Sequence, residues 1–564
     1  MLSSNTQTLR QLFHQANWQE LIKVGNDYLK HCPESSETKR LIGIAHLNIN
    51  DLAKGIAFLE EARQAEPNEL QTLNALAIAF EYLGNNQQAL NHYQQALKLF
   101  PDSPQILSNM AGLYTKLDMP CEAISSYEKS ISLAPDNPQV LNNLTALLYK
   151  QKCFDEALHY AQKAYAINPK SSSILNNYGN CLNAKFQYRE AIILFKKALR
   201  LSPHSVEVLQ NMGFAYHNLG DFDTALKCYN KSLAVEPKNL YAIWQRAFTY
   251  LLNGEFSKGW KDYEIGLTLG ERPPKSSGRP TWNPKHHKNE NVLITLEQGI
   301  GDQVMFCSCL PQVLKEAKKV SLECEQRLAP IFKRSFPQIH IIPLKDEKQI
   351  TGIEQLPDTN YQLPMGSLPG IYRNQLTEFA QQNAYLKADD SATELWKRRF
   401  DTLGKGMKIG LSWFGGGERA DQLKRRIALT QCLPFLSLPN CHFINLQYGD
   451  TKQEIATLKK EHNITLHEWD DSKPYENLDF FAAKIAALDL VISVGNSNVH
   501  LAGALGKTTW CLIPCVPSWR WLLNGSRSVW YPSVQVYRQQ ELFKWDTVIA
   551  EVTQSLKQHL AAAE

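Results

Sequence analysis

The 564-residue sequence lacks the marks of a membrane or metal-binding protein. No run of about 18 apolar residues could span a bilayer, and the N-terminal stretch has no uninterrupted apolar core of a signal peptide. The 12 cysteines include no C-x-x-C pair, which is the spacing of a structural zinc site, and the closest ones lie in apolar segments typical of buried free thiols. We therefore expect a soluble, cytoplasmic protein without a structural metal.

The charge is also nearly balanced. Sixty basic residues face 56 acidic ones, for a formal net charge of +4. A nucleic-acid binder or a polybasic membrane protein would show a strong excess of one sign. The sequence also has no basic, amphipathic stretch suited to a membrane surface. Neither nucleic-acid binding nor membrane insertion is expected.

A proline recurs every 34 residues, which is the period of the two-helix tetratricopeptide unit. Small residues precede most of these prolines by twelve and by five positions, where neighbouring helices must approach closely. The prolines are Pro33, Pro67, Pro101, Pro135, Pro169, Pro203 and Pro237. Each is expected just past the second helix of its unit, because proline cannot continue a helix. We predict an α-helical tetratricopeptide superhelix over residues 1–270, with a cap before Pro33 and a further helix pair after Pro237.

An asparagine stands eight residues after each of four successive prolines, on the first helix of its unit. These residues are Asn109, Asn143, Asn177 and Asn211. An amide offers both a donor and an acceptor, so a row at this spacing could hold the backbone of an extended peptide. The row also resembles the peptide-gripping asparagines of O-GlcNAc transferases. We predict a protein acceptor bound there, with hydrogen bonding between repeats as the alternative.

Helical periodicity stops in a segment rich in proline, glycine and charge, which we interpret as a linker over 271–290. Beyond it, short apolar strands alternate with glycine-bearing turns and helices. This pattern predicts two doubly wound α/β halves, at 291–405 and 406–564. Ligands bind such sheets at the carboxyl ends of the strands, where the glycine-bearing turns fall.

Residues 280–540 resemble the glycosyltransferase family of the bacterial heptosyltransferases, and in particular its branch of repeat-fused proteins, which includes candidate flagellin glycosyltransferases. The motifs are EQGIGDQVMF, YQLPMGSLP, KIGLSW with RRIAL, NSNVHLAGALGKTTWCLIP, SWRWLL and WYPS. The resemblance implies a GT-B fold and transfer of a sugar from a nucleotide-activated donor. Repeats followed by GT-B also resemble the plan of O-GlcNAc transferase.

Asp302 follows Gly301 at the first turn between strand and helix, so its carboxylate should project from the mouth of the sheet. A general base in that position could take the proton of an acceptor hydroxyl. In the family, the aspartate of this GD pair is the proposed base. Capping of the following helix is the alternative.

Other residues suit the donor. The glycine loop that begins with Gly415 and Gly416 precedes Arg425 and Arg426, whose guanidinium groups could hold phosphate oxygens. A second phosphate device is the helix opening at Asn496, Ser497 and Asn498, since free N–H groups and the helix dipole favour an anion. His500 lies one turn inside that helix and is assigned to the donor site by its motif, with a core histidine as the alternative. Gln447 could bond the ribose or the base.

No metal or other cofactor is expected beside the nucleotide sugar. The only Asp-x-Asp triplet is Asp221 to Asp223, in a repeat turn, so arginine and helix dipole would replace a divalent ion. One departure from the family stands at Gly495, where a VDNSxxH pattern usually has aspartate. It implies an altered donor preference or an impaired enzyme.

The sequence thus predicts an inverting, metal-independent glycosyltransferase that modifies a Ser or Thr hydroxyl of a protein acceptor, with flagellin a candidate. Two alternatives stay open. A catalytically impaired scaffold would use the repeats alone, and a glycolipid sugar transferase would not need the asparagine row.

Overall fold

The computed structural model describes residues 2–272, 277–345, 351, 354–379, 384–417, 419–472 and 476–563. The chain divides into two compact units, Met1–Pro203 and His204–Glu564. The division falls inside the repeat array, so the last repeats pack as one unit with the α/β part.

The first unit consists of helix pairs. Its helices are α1 (Leu2–His14), α2 (Trp18–Leu29), α3 (Ser36–Asn48), α4 (Leu52–Ala65), α5 (Leu70–Tyr82), α6 (Asn86–Leu99), α7 (Pro104–Lys116), α8 (Pro120–Leu133), α9 (Pro138–Lys150), α10 (Phe154–Ile167), α11 (Ser172–Ala184) and α12 (Tyr188–Leu201). From α4 onwards, each second helix ends two residues before a repeat proline. The helical repeats follow the predicted 34-residue period.

The residue two positions after each repeat proline starts the next helix. Its side chain accepts a hydrogen bond from a backbone N–H of the first turn, which satisfies one of the free donors there. These caps are Ser35, Glu69, Ser103, Asn137, Ser171, Ser205 and Asn239. The proline ends one helix and the cap begins the next.

The small residues of the repeat pattern lie where helices touch. The small residues located five residues before a repeat proline are at most 1% exposed. They are Ala62, Ala96, Ser130, Ala164, Ala198 and Ser232. Because these small residues are buried where helices pack, packing supports the same period as the prolines.

The second unit begins with helices α13 (Val206–Leu219), α14 (Phe222–Val235), α15 (Leu240–Leu252), α16 (Phe256–Tyr263) and α17 (Ile265–Leu269). The helices of its α/β part are α18 (Ile300–Phe306), α19 (Leu310–Glu316), α20 (Ala329–Ser335), α21 (Leu368–Tyr372), α22 (Asp390–Asp401), α23 (Arg419–Arg425), α24 (Leu433–Leu436), α25 (Lys452–His462), α26 (Leu478–Ala487), α27 (Ser497–Ala504) and α28 (Asp546–Ala563).

In the part of the chain that the structure describes, ten strands form two parallel sheets. They are β1 (Asn291–Thr295), β2 (Lys319–Glu325), β3 (His340–Leu344), β4 (Tyr361–Pro364), β5 (Met407–Ser412), β6 (Cys441–Asn445), β7 (Leu466–His467), β8 (Leu490–Val494), β9 (Thr509–Ile513) and β10 (Val534–Arg538). The first sheet has the order β3-β2-β1-β4 and the second β10-β9-β8-β5-β6-β7. Two parallel α/β sheets after a helical array confirm the predicted fold class.

Strand order reverses once in each sheet, between β1 and β4 and between β8 and β5. Crevices open at such switch points, at the carboxyl ends of the strands. The turns after β1, β5 and β8 are the ones that carry Asp302, the glycine loop and Asn496. The topology therefore directs the predicted site residues to the ligand-binding edges.

Within the second unit, the last repeats are built into the α/β part. The indole of Trp260 in α16 packs edge-on against Trp519 at 5.3 Å, and its Nε1 donates to the Arg373 carbonyl at 2.8 Å. The Leu523 amide donates to the carbonyl of Leu252 at 3.0 Å. The helix pair predicted after Pro237 thus joins the repeats to the sheets.

The segment predicted as a linker is anchored in the parts described. Arg272 is fully buried and Trp282 is 1% exposed, while Thr281 pairs with Gln362 beside β4. Residues 273–276 lie outside the described residues. A second difference is α23, which forms where a loop was predicted after Gly417.

Candidate active site

The first turns of α18 and α27 meet, although they follow strands of different sheets. A Cβ on Gly301 of α18 would lie 3.7 Å from the Cα of Ser497 and 3.1 Å from the His500 ring. Only a glycine permits this approach without displacement. The predicted base and the predicted phosphate-binding turn therefore share one site.

Asp302 is the third residue of α18 and makes no capping hydrogen bond. Its Oδ1 instead accepts from Nε of Arg520 at 2.6 Å, in an ion pair whose side chains are 18% and 23% exposed. Arg520 also donates to Ser518 and lies over the Trp519 ring. Arg520 lies in the SWRWLL motif, but no sequence pattern links it to Asp302.

Arg425 lies at the glycine loop. Its guanidinium donates to the carbonyls of Gly495 at 2.7 Å and Gly416 at 2.5 Å, and its Nε donates to the Asp421 carbonyl. Among the described residues, no carboxylate oxygen lies within 4.0 Å of it. Arg425 thus fixes the two loops through their backbone carbonyls and places a positive charge beside them.

The α27 terminus is held by its own asparagines. Asn496 caps the helix by accepting from the Asn498 amide, and its Nδ2 donates to Ser412 Oγ at 2.7 Å and to the Phe414 carbonyl. The Asn498 side chain donates to the Leu446 carbonyl. Both asparagines are buried, whereas Ser497 is exposed. Ser497 is therefore the member of this turn available to a ligand.

Gln447 lies beyond β6 and is 7% exposed. Its Oε1 accepts from Ser412 Oγ and from the amides of Trp413 and Phe414, and its Nε2 donates to the carbonyls of Phe414 and Tyr448. The whole amide is engaged by the protein. In this arrangement the Gln447 side chain holds the loop after β5. Its amide is already bonded to that loop, so the predicted direct bond to a ribose or base would require these hydrogen bonds to break.

A cavity of about 230 Å³ opens beside the glycine loop. Its lining residues are Phe414, Gly415, Gly416, Gln422, Leu423, Arg426 and Tyr448. The Arg426 guanidinium lies over the Phe414 ring at 5.0 Å and pairs with Glu454. Two aromatic rings and a cation at the switch point form a chamber suited to a flat, polar ring.

His500 is buried under the site. Its Nδ1 pairs with the Tyr531 hydroxyl at 2.9 Å, and its ring stacks on Trp521 at 5.2 Å. Burial, with the charges of Arg520 and Arg425, lowers the pKa of His500 to about 3. The residue is a neutral histidine that packs α27 against its surroundings.

Trp521 packs against Gly495. A Cβ at position 495 would lie 2.8 Å from Nε1 of Trp521, closer than Cβ atoms pack. The indole thus occupies the space that an aspartate side chain at this position would need, so a carboxylate cannot be introduced there without displacing the ring.

The low pKa of His500 makes the stability of the second unit depend on pH. The folded state keeps the ring neutral down to about pH 3, whereas the unfolded chain takes up a proton below its ordinary pKa of 6.5. Because the unfolded state binds more protons in this window, we expect the melting temperature to fall as the pH drops from 6.5. His500→Gln should melt lower at pH 7.5 but decline less steeply between pH 6.5 and 5. An unchanged slope of melting temperature against pH in His500→Gln would contradict this assignment. His286→Asn, at an exposed histidine, is the control and should keep the wild-type slope.

In the first unit, two predicted asparagines bond to the preceding repeat. Asn109 Nδ2 donates to Asn74 Oδ1 and Asn177 Nδ2 donates to Asn142 Oδ1, both at 2.9 Å. These are the hydrogen bonds between repeats that the sequence left as the alternative. The amide oxygens of Asn109 and Asn177 accept no hydrogen bond from other described residues. Each pair therefore fixes the side-chain amide of Asn109 or Asn177 through its Nδ2 and leaves its Oδ1 open to a ligand.

The other two asparagines occupy the same helix position. Asn143 in α9 accepts from Gln139 Nε2 at 3.0 Å and is half-buried. Asn211 is the corresponding residue of α13, in the second unit, and is also half-buried.

Comparisons with known proteins confirm the repeats. Tetratricopeptide-repeat models match residues 79–118, 104–137 and 170–238. Protein FlbA of Caulobacter vibrioides is 30% identical over 291 residues, which are 50% of this chain and 48% of that protein. The chain therefore spans about half the length of this curated relative.

Solved structures with similar helical repeats include the APC/C hetero-tetramer Cut9–Hcn1, with 20% identity, a TM-score of 0.39, and coverage of 43% of this chain and 48% of that one. Pseudomonas aeruginosa pilF has 19% identity and a TM-score of 0.35, covering 37% and 96%. YrrB, a TPR protein with an unusual peptide-binding site, has 21% identity and a TM-score of 0.30, covering 33% and 95%.

The protein thus carries a tetratricopeptide protein-binding module ahead of an α/β part. Among the described residues, no helix combines the length and the apolar character needed to cross a membrane.

Proposed function

We propose that this protein transfers a sugar from a nucleotide-activated donor to a hydroxyl of a protein acceptor bound by the repeats. The observation that carries the proposal is the meeting of α18 and α27, which brings Gly301 next to Ser497, while the neighbouring Asp302 pairs with Arg520. A carboxylate and two guanidinium groups at the switch points of two parallel sheets suit transfer away from a diphosphate.

The chemistry assigns each group a task. An acceptor Ser or Thr hydroxyl gives its proton to the Asp302 carboxylate as its oxygen bonds to the anomeric carbon of the sugar. The bond from that carbon to the phosphate oxygen breaks, and its electron pair leaves with the diphosphate. Arg425, Arg520 and the α27 terminus face the charge that develops there. A single displacement of this kind inverts the anomeric centre.

The cavity beside the glycine loop supplies a place for the nucleotide base. The Phe414 and Tyr448 rings lie 6.1 Å apart and are tilted by 63°, so a base could stack on one ring and meet the edge of the other, with Arg426 beside them. Stacking on an aromatic ring is worth about 1–3 kcal/mol. Gly415 and Gly416 let backbone approach the phosphates, and Arg425 holds that loop to the carbonyl of Gly495. Base and diphosphate would then span from the cavity to Ser497.

Nucleotide binding tests this proposal directly. Calorimetry of the full chain with uridine, guanosine, adenosine and cytidine diphosphates is expected to show that one of them binds. Tyr448→Ala and Phe414→Ala should each weaken that binding about 5- to 150-fold, which corresponds to the loss of one stacked ring. Tyr82→Ala, at an aromatic residue of the first unit that is 73% exposed, serves as the control. Binding of none of the four, or equal affinity in all variants, would contradict the donor site.

The acceptor is proposed to be a protein, with flagellin a candidate through the family resemblance. The open amide oxygens of Asn109 and Asn177 recur two repeats apart and are held by Asn74 and Asn142. Each could accept a backbone N–H of an extended peptide without reading its side chains. Hydrogen bonding between repeats and peptide binding are then two uses of the same amide.

Replacing the row should affect the acceptor alone. We expect Asn109→Ala, Asn143→Ala and Asn177→Ala together to raise the KM for the protein acceptor about 100-fold, at about 1 kcal/mol per hydrogen bond. Nucleotide affinity should stay the same. Steady-state kinetics with the identified donor measures both, and Asn91→Ala on the exposed side of α6 is the control. An unchanged KM in a stable triple variant would assign the row to structure only.

A scaffold without catalysis is the second candidate. Two observations favour it: Trp521 fills the space beside Gly495, and Asp302 is paired with Arg520. Its distinguishing property is that partner binding would persist and Asp302 would be dispensable.

A further inference from the structure

The Asp302–Arg520 pair bears on how the proposed reaction begins. A carboxylate that accepts from an arginine at 2.6 Å is not free to accept the proton of a hydroxyl on that oxygen. Arg520 holds the pair from the segment after β9, while Asp302 belongs to α18. The ion pair therefore ties the predicted base to the second sheet.

Arg520 also lies within a positively charged group. The charges of both Arg425 and Arg520 act on the ring of His500, and the charge of Arg520 lowers the pKa of Arg425, after the larger effect of burial. Among the described residues, the hydrogen-bond partners of Arg425 are backbone carbonyls. Asp302 is the carboxylate paired with Arg520, whose charge also acts on Arg425 beside the α27 terminus.

We propose that Arg520 changes partner during the reaction. Its guanidinium moves from Asp302 to the diphosphate of the donor, and this movement frees the base. This inference rests on the proposed function. A diphosphate offers the guanidinium fork two oxygens and more charge than one carboxylate does. Donor binding then precedes acceptor deprotonation, and Oδ1 of the base is held by the Arg520 guanidinium while the donor site is empty.

The consequence is that the two residues act in opposite directions on anion binding. Arg520 attracts the anion, whereas Asp302 competes with the anion for Arg520. A purely structural ion pair would respond differently, since loss of either member would weaken the fold and with it any ligand binding.

Inorganic pyrophosphate is the probe, because it tests the guanidinium group without a nucleotide or a sugar. Calorimetry on the full chain should show at least tenfold weaker binding in Arg520→Met. Asp302→Asn should bind about five- to thirtyfold more tightly than the wild type, as expected for a competing pair worth one to two kcal/mol. Arg520→Lys should be intermediate because it keeps the charge and loses the fork.

A double variant separates partner exchange from simple repulsion. If Asp302 acts through Arg520, Asp302→Asn gains nothing in an Arg520→Met background. An equal gain in both backgrounds would show repulsion only and overturn the proposal, as would unchanged affinity in Arg520→Met. Arg527→Met, which removes an exposed charge from the same segment, should leave pyrophosphate affinity unchanged. Melting temperatures of all variants show whether each is folded.

Failure here and failure of the proposed function are distinguishable. Sugar transfer combined with the wrong signs for pyrophosphate would refute the partner exchange alone. If pyrophosphate affinity changes in the expected directions but no sugar is transferred, the glycosyltransferase is refuted. The site would then be an anion site in which Asp302 competes for the arginine.

Discussion

Arg272→Met is expected to destabilise the second unit by about 3–5 kcal/mol, because it leaves a buried carboxylate without its partner. Arg272 is fully buried, and its Nε and Nη2 donate to the two oxygens of Glu297 at 3.1 and 2.9 Å. It also donates to Glu264 and Ser367 and lies over the Tyr263 ring. Burial opposes its charge, but Glu297 raises the pKa of Arg272 above its ordinary value.

The pair joins the end of the repeats to the first sheet. Glu297 follows β1 and is 1% exposed, and it also accepts from the Gly366 amide after β4. A side chain at Gly366 would collide with that carboxylate. Removal of either charge therefore disturbs the switch point from which α18 and Asp302 project.

Tryptophan fluorescence in a denaturant titration measures this effect on the right unit, since eleven of the 12 tryptophans lie in the second unit. Arg272→Met with Glu297→Gln should recover part of the loss, because no unpaired charge remains. The exposed pair of Lys544 and Glu541 gives the control, and Lys544→Met should leave the denaturation midpoint nearly unchanged because exposed ion pairs contribute little to stability. An equally small change in Arg272→Met would contradict the assigned role.

Asp302→Asn is expected to lower kcat for sugar transfer about 10²- to 10⁴-fold, the range attributed to general-base catalysis. The amide keeps the shape of the carboxylate but cannot take the acceptor proton. The KM for the acceptor should change little, since the change affects a proton transfer. Release of nucleoside diphosphate in the presence of donor and acceptor measures the rate.

Asp546→Asn, at the exposed start of α28, is the matched control and should transfer at the wild-type rate. A kcat within threefold of the wild type in Asp302→Asn would remove Asp302 as the base. Loss of nucleotide affinity in the same variant would instead indicate a structural effect.

Much of the fold was predictable because it follows from periodicity. Pro101 and its equivalents end helices, and Ser103 and its equivalents begin them. Ala96 and its equivalents are small residues that lie where helices touch. The strands β1, β5 and β8 are apolar runs followed by glycine-bearing turns. Local patterns of this kind need no knowledge of distant contacts.

The site was only partly predictable because its geometry depends on contacts between distant residues. Asp302 and Arg520 are 218 residues apart, and no local pattern links them. The same holds for Trp521, whose indole excludes a side chain at Gly495. Gln447 was predicted to bond a ribose or base, and only its contacts show that its amide is engaged by the loop after β5.

The boundary of the compact units was also beyond the pattern. The repeat period continues past Pro203, yet α13 to α17 pack with the sheets. Contacts such as Trp260 with Trp519 decide this, and they join residues with no shared periodicity.

The central claim is that the α/β part adds a sugar to a protein. Intact-mass spectrometry of flagellin, co-expressed with the wild type or with Asp302→Ala, tests it most directly. The expected result is a mass increase of one or more sugar residues with the wild type and none with Asp302→Ala. Unmodified masses with both proteins, for flagellin and for every further candidate acceptor, would contradict the proposed enzyme activity. Equal mass increases with both would contradict Asp302 as the base.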